Sequence, residues 1–271
     1  MKNIRYFMML LLVGSIGSII AQDIPVTPFF ANGTTKPAGK QYEKYDVGVE
    51  YFINLSLPDV ERAPAEERRT LSAVRDTVLR RSVGLSYIKG DKDFTKLTKI
   101  FVDKANKNLI GMMTPFDENL LFAYKWYLEY SGFLTDNFDG NPLDKSKPFF
   151  SYYLVNIEMV GNTLTNYQML IFDRKTGKLL ALDDLLELND DSRRQIRELM
   201  LEEFYKKHPK GSVRYEYNIN ENASFEIDPK GLNFYIPKGD MKDPLDYIFL
   251  SKDVLTPFVK KGGILDLYWQ N

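Results

Sequence analysis

The sequence contains no cysteine and only one histidine, His208. Without cysteine, disulfides, thiolate zinc sites, iron–sulfur clusters and cysteine nucleophiles are excluded. A single histidine also excludes the HExxH zinc motif and the histidine-rich metal sites. The glycine patterns of phosphate and dinucleotide sites and the GxSxG motif of serine hydrolases are missing too. The composition and the missing motifs therefore exclude most of the enzyme classes that can be recognised by a short sequence motif.

Beyond residue 21 the sequence has no apolar run long enough to cross a bilayer. Before that point, Lys2 and Arg5 precede an uncharged run of apolar and small residues that ends at Ala21. This pattern is typical of a secretory signal peptide over residues 1–21 and predicts an exported protein, periplasmic or extracellular. The alternative is an uncleaved anchor, but the run falls short of the roughly 20 apolar residues of a spanning helix.

The sequence also lacks a strong charge of either sign, since 36 basic and 37 acidic side chains give a net charge of −1. A nucleic-acid-binding protein would show a basic surface, so we expect no nucleic-acid partner. The slight acidic excess would suit a cationic partner only weakly.

Short patterns along the chain indicate an α+β protein. Residues 22–42 hold three prolines and little periodicity, which predicts an extended arm or linker. Alternation and turn residues predict strands, and apolar residues at helical spacing predict helices. We expect antiparallel sheets of hairpins packed against a few amphipathic helices, in an N-terminal domain over 43–148 and a C-terminal domain over 149–271. The predicted strands are 45–53, 120–140, a hairpin over 149–172, a hairpin over 224–237, 246–251 and a last strand from Ile264; the predicted helices are 63–84, 93–111, 189–209 and a short one over 253–263.

An aromatic stripe lies on one face of the strand predicted over 120–140. Such a stripe can stack on sugar rings, but aromatic side chains in strands more often form the core. We interpret the stripe as core and keep a sugar-binding platform as the alternative. Its members are Phe122, Tyr124, Trp126, Leu128 and Tyr130.

The stretch FDRKTGKLLALDDLL, residues 172–186, contains the adjacent carboxylates Asp183 and Asp184. Gly177 predicts a tight reversal between the two apolar runs. Adjacent residues point to opposite faces of a strand and lie about 100° apart on a helix, so neither geometry brings both carboxylates to one ligand. We therefore interpret the pair as structural, with a role in capping or turns, and keep metal binding or acid–base catalysis as the alternative.

Two other polar groups receive a structural interpretation. Asp136, Asn137, Asp139 and Gly140 resemble part of a calcium loop, but the EF-hand spacing is not met. His208 ends a lysine-rich helix and is expected to act as a helix-terminal cation. We predict no catalytic residue, no metal ligand and no cofactor-binding residue.

The C-terminal half resembles a known family. YQMLIFDRKTGKLLALDDLL (167–186) is similar to its hallmark of a strand, a T-G-K turn and an L-x-L-x-D-L-F-like segment. SFEIDPKGLNFYIP (224–237) resembles its second hallmark, and DYIFLSKDVLTPFVKKGG (246–263) resembles its closing strand and helix. The family is the domain of unknown function at the C-terminus of RsiV, a lysozyme-sensing anti-sigma factor, and of some peptidoglycan deacetylases. The resemblance covers roughly residues 42–271 and is stronger after 150.

The chain departs from that family in ways that limit what the resemblance implies. IPKGDMKDPLDY (236–247) replaces a tyrosine-rich run, and the anti-sigma helix and the metal-binding histidines of the deacetylases are absent. The resemblance implies an exported α+β binding domain, and it carries over neither lysozyme binding nor deacetylation. We predict a non-catalytic binding domain of the cell envelope that acts by surface contact on the sheet or its edge, with a secreted protein such as a lysozyme, or a cell-wall glycan, as its partner. The alternative is a carbohydrate- or peptidoglycan-acting hydrolase that uses two carboxylates.

Overall fold

A computed structural model of the protein describes residues 24–38, 48–83, 93–113, 125–135, 146–160, 162–238 and 245–270. In these ranges the chain forms a mixed six-stranded sheet, a three-stranded antiparallel sheet and several helices, which confirms the predicted α+β class. No helix in these ranges is long and apolar enough to cross a membrane. Strands β1–β9 are Val26–Thr35, Gly48–Pro58, Lys125–Thr135, Phe149–Val160, Asn162–Asp173, Leu179–Leu180, Ser224–Asp228, Gly231–Pro237 and Leu245–Ser251; helices α1–α6 are Arg68–Val83, Phe94–Met113, Leu182–Leu185, Asp190–Lys207, Lys252–Leu255 and Ile264–Gln270.

The large sheet has the order β1-β2-β3-β4-β5-β6, and all its neighbours are antiparallel except β2 and β3. A parallel pair needs a crossover connection, and α1 and α2 lie between these two strands in the chain. The sheet is therefore mixed, where the sequence predicted antiparallel hairpins. β1 falls within the segment predicted to be an extended arm; it is extended, and it pairs with β2 from Val26 opposite Pro58 to Thr35 opposite Val49.

Helices α1 and α2 cover one face of the large sheet and form the first core with it. On α1, the predicted stripe of Leu71, Val74 and Val78 is buried. From β3, Trp126 and Tyr130 are only 3% and 7% exposed. This confirms that the described part of the aromatic stripe belongs to the core. Phe122 and Tyr124 lie outside the residues that the structure describes.

A second core lies on the opposite face of β4 and β5, against α4, the small sheet and α6. Ile196, Met200 and Phe204 follow one another at a spacing of four residues along α4 and are all buried. Adjacent residues of β4 point to opposite faces, so Phe149 enters the second core while Phe150 enters the first. The two cores therefore share the central strands of one sheet.

The reversal predicted around Gly177 is confirmed, and it lies against the first helix. Asp173 accepts hydrogen bonds from the backbone N–H of Thr176 at 2.6 Å and from its hydroxyl at 2.7 Å. Gly177 has φ of +71°, a left-handed conformation that suits glycine. Thr70 of α1 donates to the carbonyl of Lys175 at 3.1 Å, which fastens the turn to the helix.

The strand predicted from Ile264 is wrong, because this segment forms helix α6. Leu265 and Trp269 lie four residues apart and are both buried, which is the spacing of one helical face. The indole N–H of Trp269 donates to the carbonyl of Asp228 at 2.9 Å and holds the helix on the small sheet. A short apolar run such as ILDLYW fits both the two-residue period of a strand and the 3.6-residue period of a helix, so tertiary packing decides which of the two forms.

Candidate functional site

Asp183 and Asp184 lie in the short helix α3 and have different surroundings. Asp184 forms an ion pair with Lys178 and accepts the backbone N–H of Ala181, the residue before the helix, at 3.0 Å. The side chain of Asp183 is exposed, while its backbone carbonyl accepts a hydrogen bond from Lys260. The capping role predicted for the pair is confirmed for Asp184.

The electrostatics of Asp184 agree with this role. Burial alone would raise the pKa of its carboxyl, but the hydrogen bonds from Lys178 and Ala181 outweigh burial and lower the pKa below its ordinary value. The lowered pKa means that the folded chain favours the charged form. The Asp136–Gly140 group lies outside the described residues.

His208 has a carboxylate partner that the sequence did not reveal. Its Nε2 lies 2.6 Å from Oδ2 of Asp246 at the start of β9, and the Tyr215 hydroxyl donates to the same oxygen at 3.1 Å. The ring also packs on Phe204 with centroids 4.7 Å apart. These contacts fasten the end of α4 to the small sheet. Because 38 residues separate His208 from Asp246, no local pattern could indicate the pair.

Asp246 is buried and strongly hydrogen-bonded. Burial raises the pKa of its carboxyl, but the backbone N–H of Tyr247, His208 and Tyr215 together outweigh burial and lower the pKa. The N–H of Tyr247 reaches the second carboxylate oxygen at 2.9 Å. The group therefore acts as an ionised anchor between helix and sheet.

The face of the large sheet opposite α1 and α2 carries aromatic side chains next to the second core, and one of them, Tyr153, packs against that core. We call this surface the aromatic face. Its rings form edge-on pairs between Phe30 and Phe52 at 5.4 Å and between Phe133 and Tyr153 at 5.6 Å, and Tyr153 stacks on Tyr167 at 6.3 Å. Phe30 is 58% exposed and the other rings are partly exposed. The aromatic face comprises Phe30, Phe52, Tyr127, Phe133, Tyr153 and Tyr167.

Glu129 lies among these rings and is only 4% exposed. Its two carboxylate oxygens accept hydrogen bonds from the Tyr127 hydroxyl at 2.8 Å and from the Ser131 hydroxyl at 3.0 Å. Both donors are neutral, and no ion pair of Glu129 occurs within the described ranges. Burial, followed by the negative charge of Glu129, raises the pKa of the nearby Tyr167 phenol.

The aromatic face carries two acidic side chains at described strand positions, Glu50 and Glu129. Glu50 lies opposite Tyr127 in the neighbouring strand and points to the same side as Glu129. At the strand positions of this face whose side chains the structure describes there is no lysine, arginine or histidine; Lys125, the first residue of β3, shares the alternation of Tyr127 and Glu129, and its side chain is outside this description. Burying a carboxylate without a positive partner costs free energy, and aromatic rings attract cations through their faces. This arrangement suits recognition of a positively charged group.

The sequence contained a partial signal for this site. Alternation along the strand predicted over 120–140 places Lys125 and Glu129 on the face opposite the aromatic stripe. A charged residue on that face is expected to be exposed to solvent. In the structure, however, Glu129 is buried among neighbours from β2, β4 and β5. The cross-strand neighbours decide the burial, and they come from distant parts of the chain.

Comparison with known proteins finds a fold and no sequence family. No family model and no curated protein matches the sequence. A solved member of the DUF3298 family from Bacteroides fragilis is 14% identical, with a TM-score of 0.64 over 92% of this chain and 98% of that chain. The chain shares the fold of that DUF3298 structure. A DUF3298 protein from Pseudomonas aeruginosa is 11% identical, with a TM-score of 0.43 over 89% of this chain and 97% of that chain.

The DUF3298-like fold fits the sequence resemblance to a domain of unknown function. At this level of identity the likeness concerns the fold alone, so it assigns neither a ligand nor a reaction. The specific likeness to RsiV stays a prediction.

Proposed function

We propose that the protein is an exported, non-catalytic binding domain of the cell envelope, which recognises a positively charged surface of a secreted protein such as a lysozyme. The observation that carries the proposal is Glu129, a buried carboxylate that receives only neutral hydrogen bonds and lies among the rings of the aromatic face. A lysine or arginine side chain that stacks on the partly exposed rings brings a positive charge close to this buried carboxylate.

The energetics favour a cation over a neutral ligand. A lysine or arginine against an aromatic ring contributes about 0.5–1 kcal/mol when exposed and about 2 kcal/mol when desolvated. Pairing with Glu129 also offsets the cost of keeping that carboxylate away from water. The partly exposed rings supply apolar contact area around the charged centre. Binding of this kind weakens as the salt concentration rises.

The proposal is tested by measuring the affinity of the exported chain for lysozyme and for lysozyme with acetylated lysines. Acetylation removes the positive charge of the lysines. We expect acetylation, Glu129→Gln and Phe30→Ser each to weaken binding about tenfold or more. Tyr217→Ser is the matched control, because Tyr217 is 75% exposed and belongs to the short 3₁₀ helix Glu216–Asn218 and to none of the strands of the large sheet.

Affinity that is indifferent to acetylation and to Glu129→Gln would refute recognition of a cation at this face. Binding of cell-wall glycan in place of the protein would refute the choice of partner. The same preparation tests export, because the chain recovered from the periplasm or medium is expected to begin at Gln22. A chain that stays in the membrane with residues 1–21 attached would support the uncleaved anchor instead.

A further inference from the structure

The first strand of the large sheet, β1, has an edge that no other described strand covers. β1 pairs with β2 along its whole length, from Val26 to Thr35, and within the described ranges no strand lies on its other side. Its sequence, VTPFFANGTT, includes no charged side chain. Sheet edges are normally protected by charged side chains, bulges or short length, because an open edge pairs readily with another strand. β1 is therefore a candidate for pairing with a further strand.

The hydrogen-bond pattern shows which residues of β1 face this edge. The N–H of Asp59 donates to the carbonyl of Pro25 at 2.7 Å, one step before the first pair of the ladder. In an antiparallel pair only alternate residues bond to the partner strand. The odd-numbered residues of β1 therefore bond to β2, and the even-numbered residues direct their N–H and C=O groups away from the sheet.

The first part of this edge is closed by the chain itself. The guanidinium of Arg62 donates to the outward carbonyl of Val26 at 2.7 Å, and Asp59 holds Arg62 in place by accepting its Nε–H at 2.6 Å. Pro28 has no N–H to donate, which is why proline in sheets is found mainly at edges. A partner strand would therefore gain few hydrogen bonds beside Val26 and Pro28.

Residues 30–34 form the open segment of the edge. The outward N–H and C=O groups of Phe30, Asn32 and Thr34 form no hydrogen bond with the described part of the chain. The ring of Phe30 is 58% exposed and meets Phe52 edge-on, with the centroids 5.4 Å apart. A strand along this segment would pair the backbone groups and cover the exposed ring.

We propose that residues 30–34 pair antiparallel with the same segment of a second copy of this chain, so that Asn32 lies opposite Asn32 of the partner subunit. In this register Phe30 lies opposite Thr34 of the partner subunit, and each outward N–H of the segment meets a carbonyl of the other copy. Opposing residues share a face, so the aromatic faces of the two copies lie on the same side of one continuous sheet. This dimer goes beyond the proposed function and does not depend on it.

Symmetry and charge favour a second copy over a foreign strand. The open groups are spaced evenly about Asn32, as a two-fold axis requires, and no charged side chain of β1 meets its own copy. The exposed Lys36, which follows β1, falls opposite Pro28 of the partner subunit. A foreign strand would itself present a new open edge, whereas two copies cover each other's edges at once.

Sedimentation of the purified chain over a range of concentrations measures the dimer. An interface of this size is expected to be weak, with a Kd in the micromolar range. We expect Asn32→Lys and Asn32→Glu each to raise the Kd about tenfold or more, because like charges then lie opposite each other. Asn222→Lys is the matched control, since Asn222 is exposed and lies outside the strands of the large sheet, and it is expected to leave the Kd unchanged.

A mixture of the two charged variants tests the register. Lysine of one copy then faces glutamate of the other, and we expect the mixed dimer to form with at least the affinity of the parent chain. The proposal is overturned by a parent chain that is monomeric throughout the micromolar range, by a dimer that Asn32→Lys and Asn32→Glu leave intact, or by a mixture that stays monomeric.

Cross-linking provides a second measurement that introduces no charge. Opposing residues of a hydrogen-bonded antiparallel pair have Cα atoms about 5.5 Å apart, a distance that suits a disulfide. The chain has no cysteine of its own, so Asn32→Cys is expected to give a disulfide-linked dimer on mild oxidation. Tyr217→Cys, at a position that is 75% exposed and outside the sheet, is the control and is expected to cross-link much more slowly. Equal rates for the two variants would also overturn the proposal.

Discussion

At the scale of single residues, Asp183 and Asp184 provide a matched pair of substitutions. Asp184→Ala removes the hydrogen bond to the Ala181 N–H and a solvent-exposed ion pair, so we expect a loss of about 1 kcal/mol in unfolding free energy. Asp183→Ala removes an exposed side chain and is expected to change stability by less than about 0.5 kcal/mol. Urea unfolding at pH 7 measures both. Equal losses in the two variants would contradict the structural assignment of Asp184.

The stabilising contribution of Asp184 is expected to decrease at low pH. Because the folded pKa of Asp184 lies below 3.8, its contribution is fully present above pH 3.8 and is lost as the pH falls through the lower, folded value. The stability difference between Asp184→Ala and the parent chain is therefore expected to persist from pH 7 to about pH 4 and to shrink below it.

Asp246 is the second residue whose charge supports the fold. Asp246→Asn weakens the hydrogen bonds from His208 and Tyr215, and we expect it to cost about 1–3 kcal/mol at pH 7. Its folded pKa is lowered, so this difference is also expected to narrow as the pH falls below 3.8. Tyr215→Phe removes one donor and should cost less. Asp253→Asn, at an exposed carboxylate, is the control in the same urea titration.

At the scale of elements, the turn at Gly177 couples the first helix to the central strands. A Cβ on Gly177 would lie 2.4 Å from the carbonyl oxygen of Thr70, in addition to the strain of its positive φ. Gly211 has a similar φ of +76°, but a Cβ there would meet nothing within 4 Å. We expect Gly211→Ala to cost about 1 kcal/mol and Gly177→Ala about 3 kcal/mol or more. Chemical denaturation tests this, and equal costs would show that backbone strain alone matters.

Elements with a strong local signal were predictable from the sequence. The turn at Gly177 and the buried stripe of α1 depend on residues within a few positions of each other. The parallel pairing of β2 with β3 was not predictable, because about seventy residues separate them and pairing follows from the crossover. Helix α6 was predicted as a strand because six apolar-rich residues fit both periods, and only the burial of Leu265 and Trp269 decides between them.

The candidate site was predictable to a smaller extent than the fold. Alternation assigned Glu129 and Trp126 to opposite faces, and this part is correct. The chemistry of each position depends on neighbours from other strands, such as Tyr167 beside Glu129. Partners so far apart in the chain leave no periodic signal, because periodicity reports only on one element at a time.

At the scale of the whole molecule, β4 and β5 connect the two cores. Phe150 and Phe172 enter the first core, and Phe149 and Ile171 enter the second, so the same backbone carries both. The six-stranded sheet continues across the position between 148 and 149 where the sequence suggests a domain boundary. That boundary stays a prediction. It can be tested by measuring whether the parts before and after residue 149 unfold together or separately.

We expect a single cooperative transition, because loss of either core exposes one face of the shared strands. Trp126 reports on the first core and Trp269 on the second, so Trp269→Phe and Trp126→Phe each leave one fluorescent reporter. The fully buried Leu55 belongs to the first core alone, and Leu55→Ala is expected to cost about 2–5 kcal/mol. Under cooperative unfolding this substitution lowers the urea midpoint equally for both reporters. A midpoint that falls for Trp126 but not for Trp269 would instead demonstrate two independently folding parts.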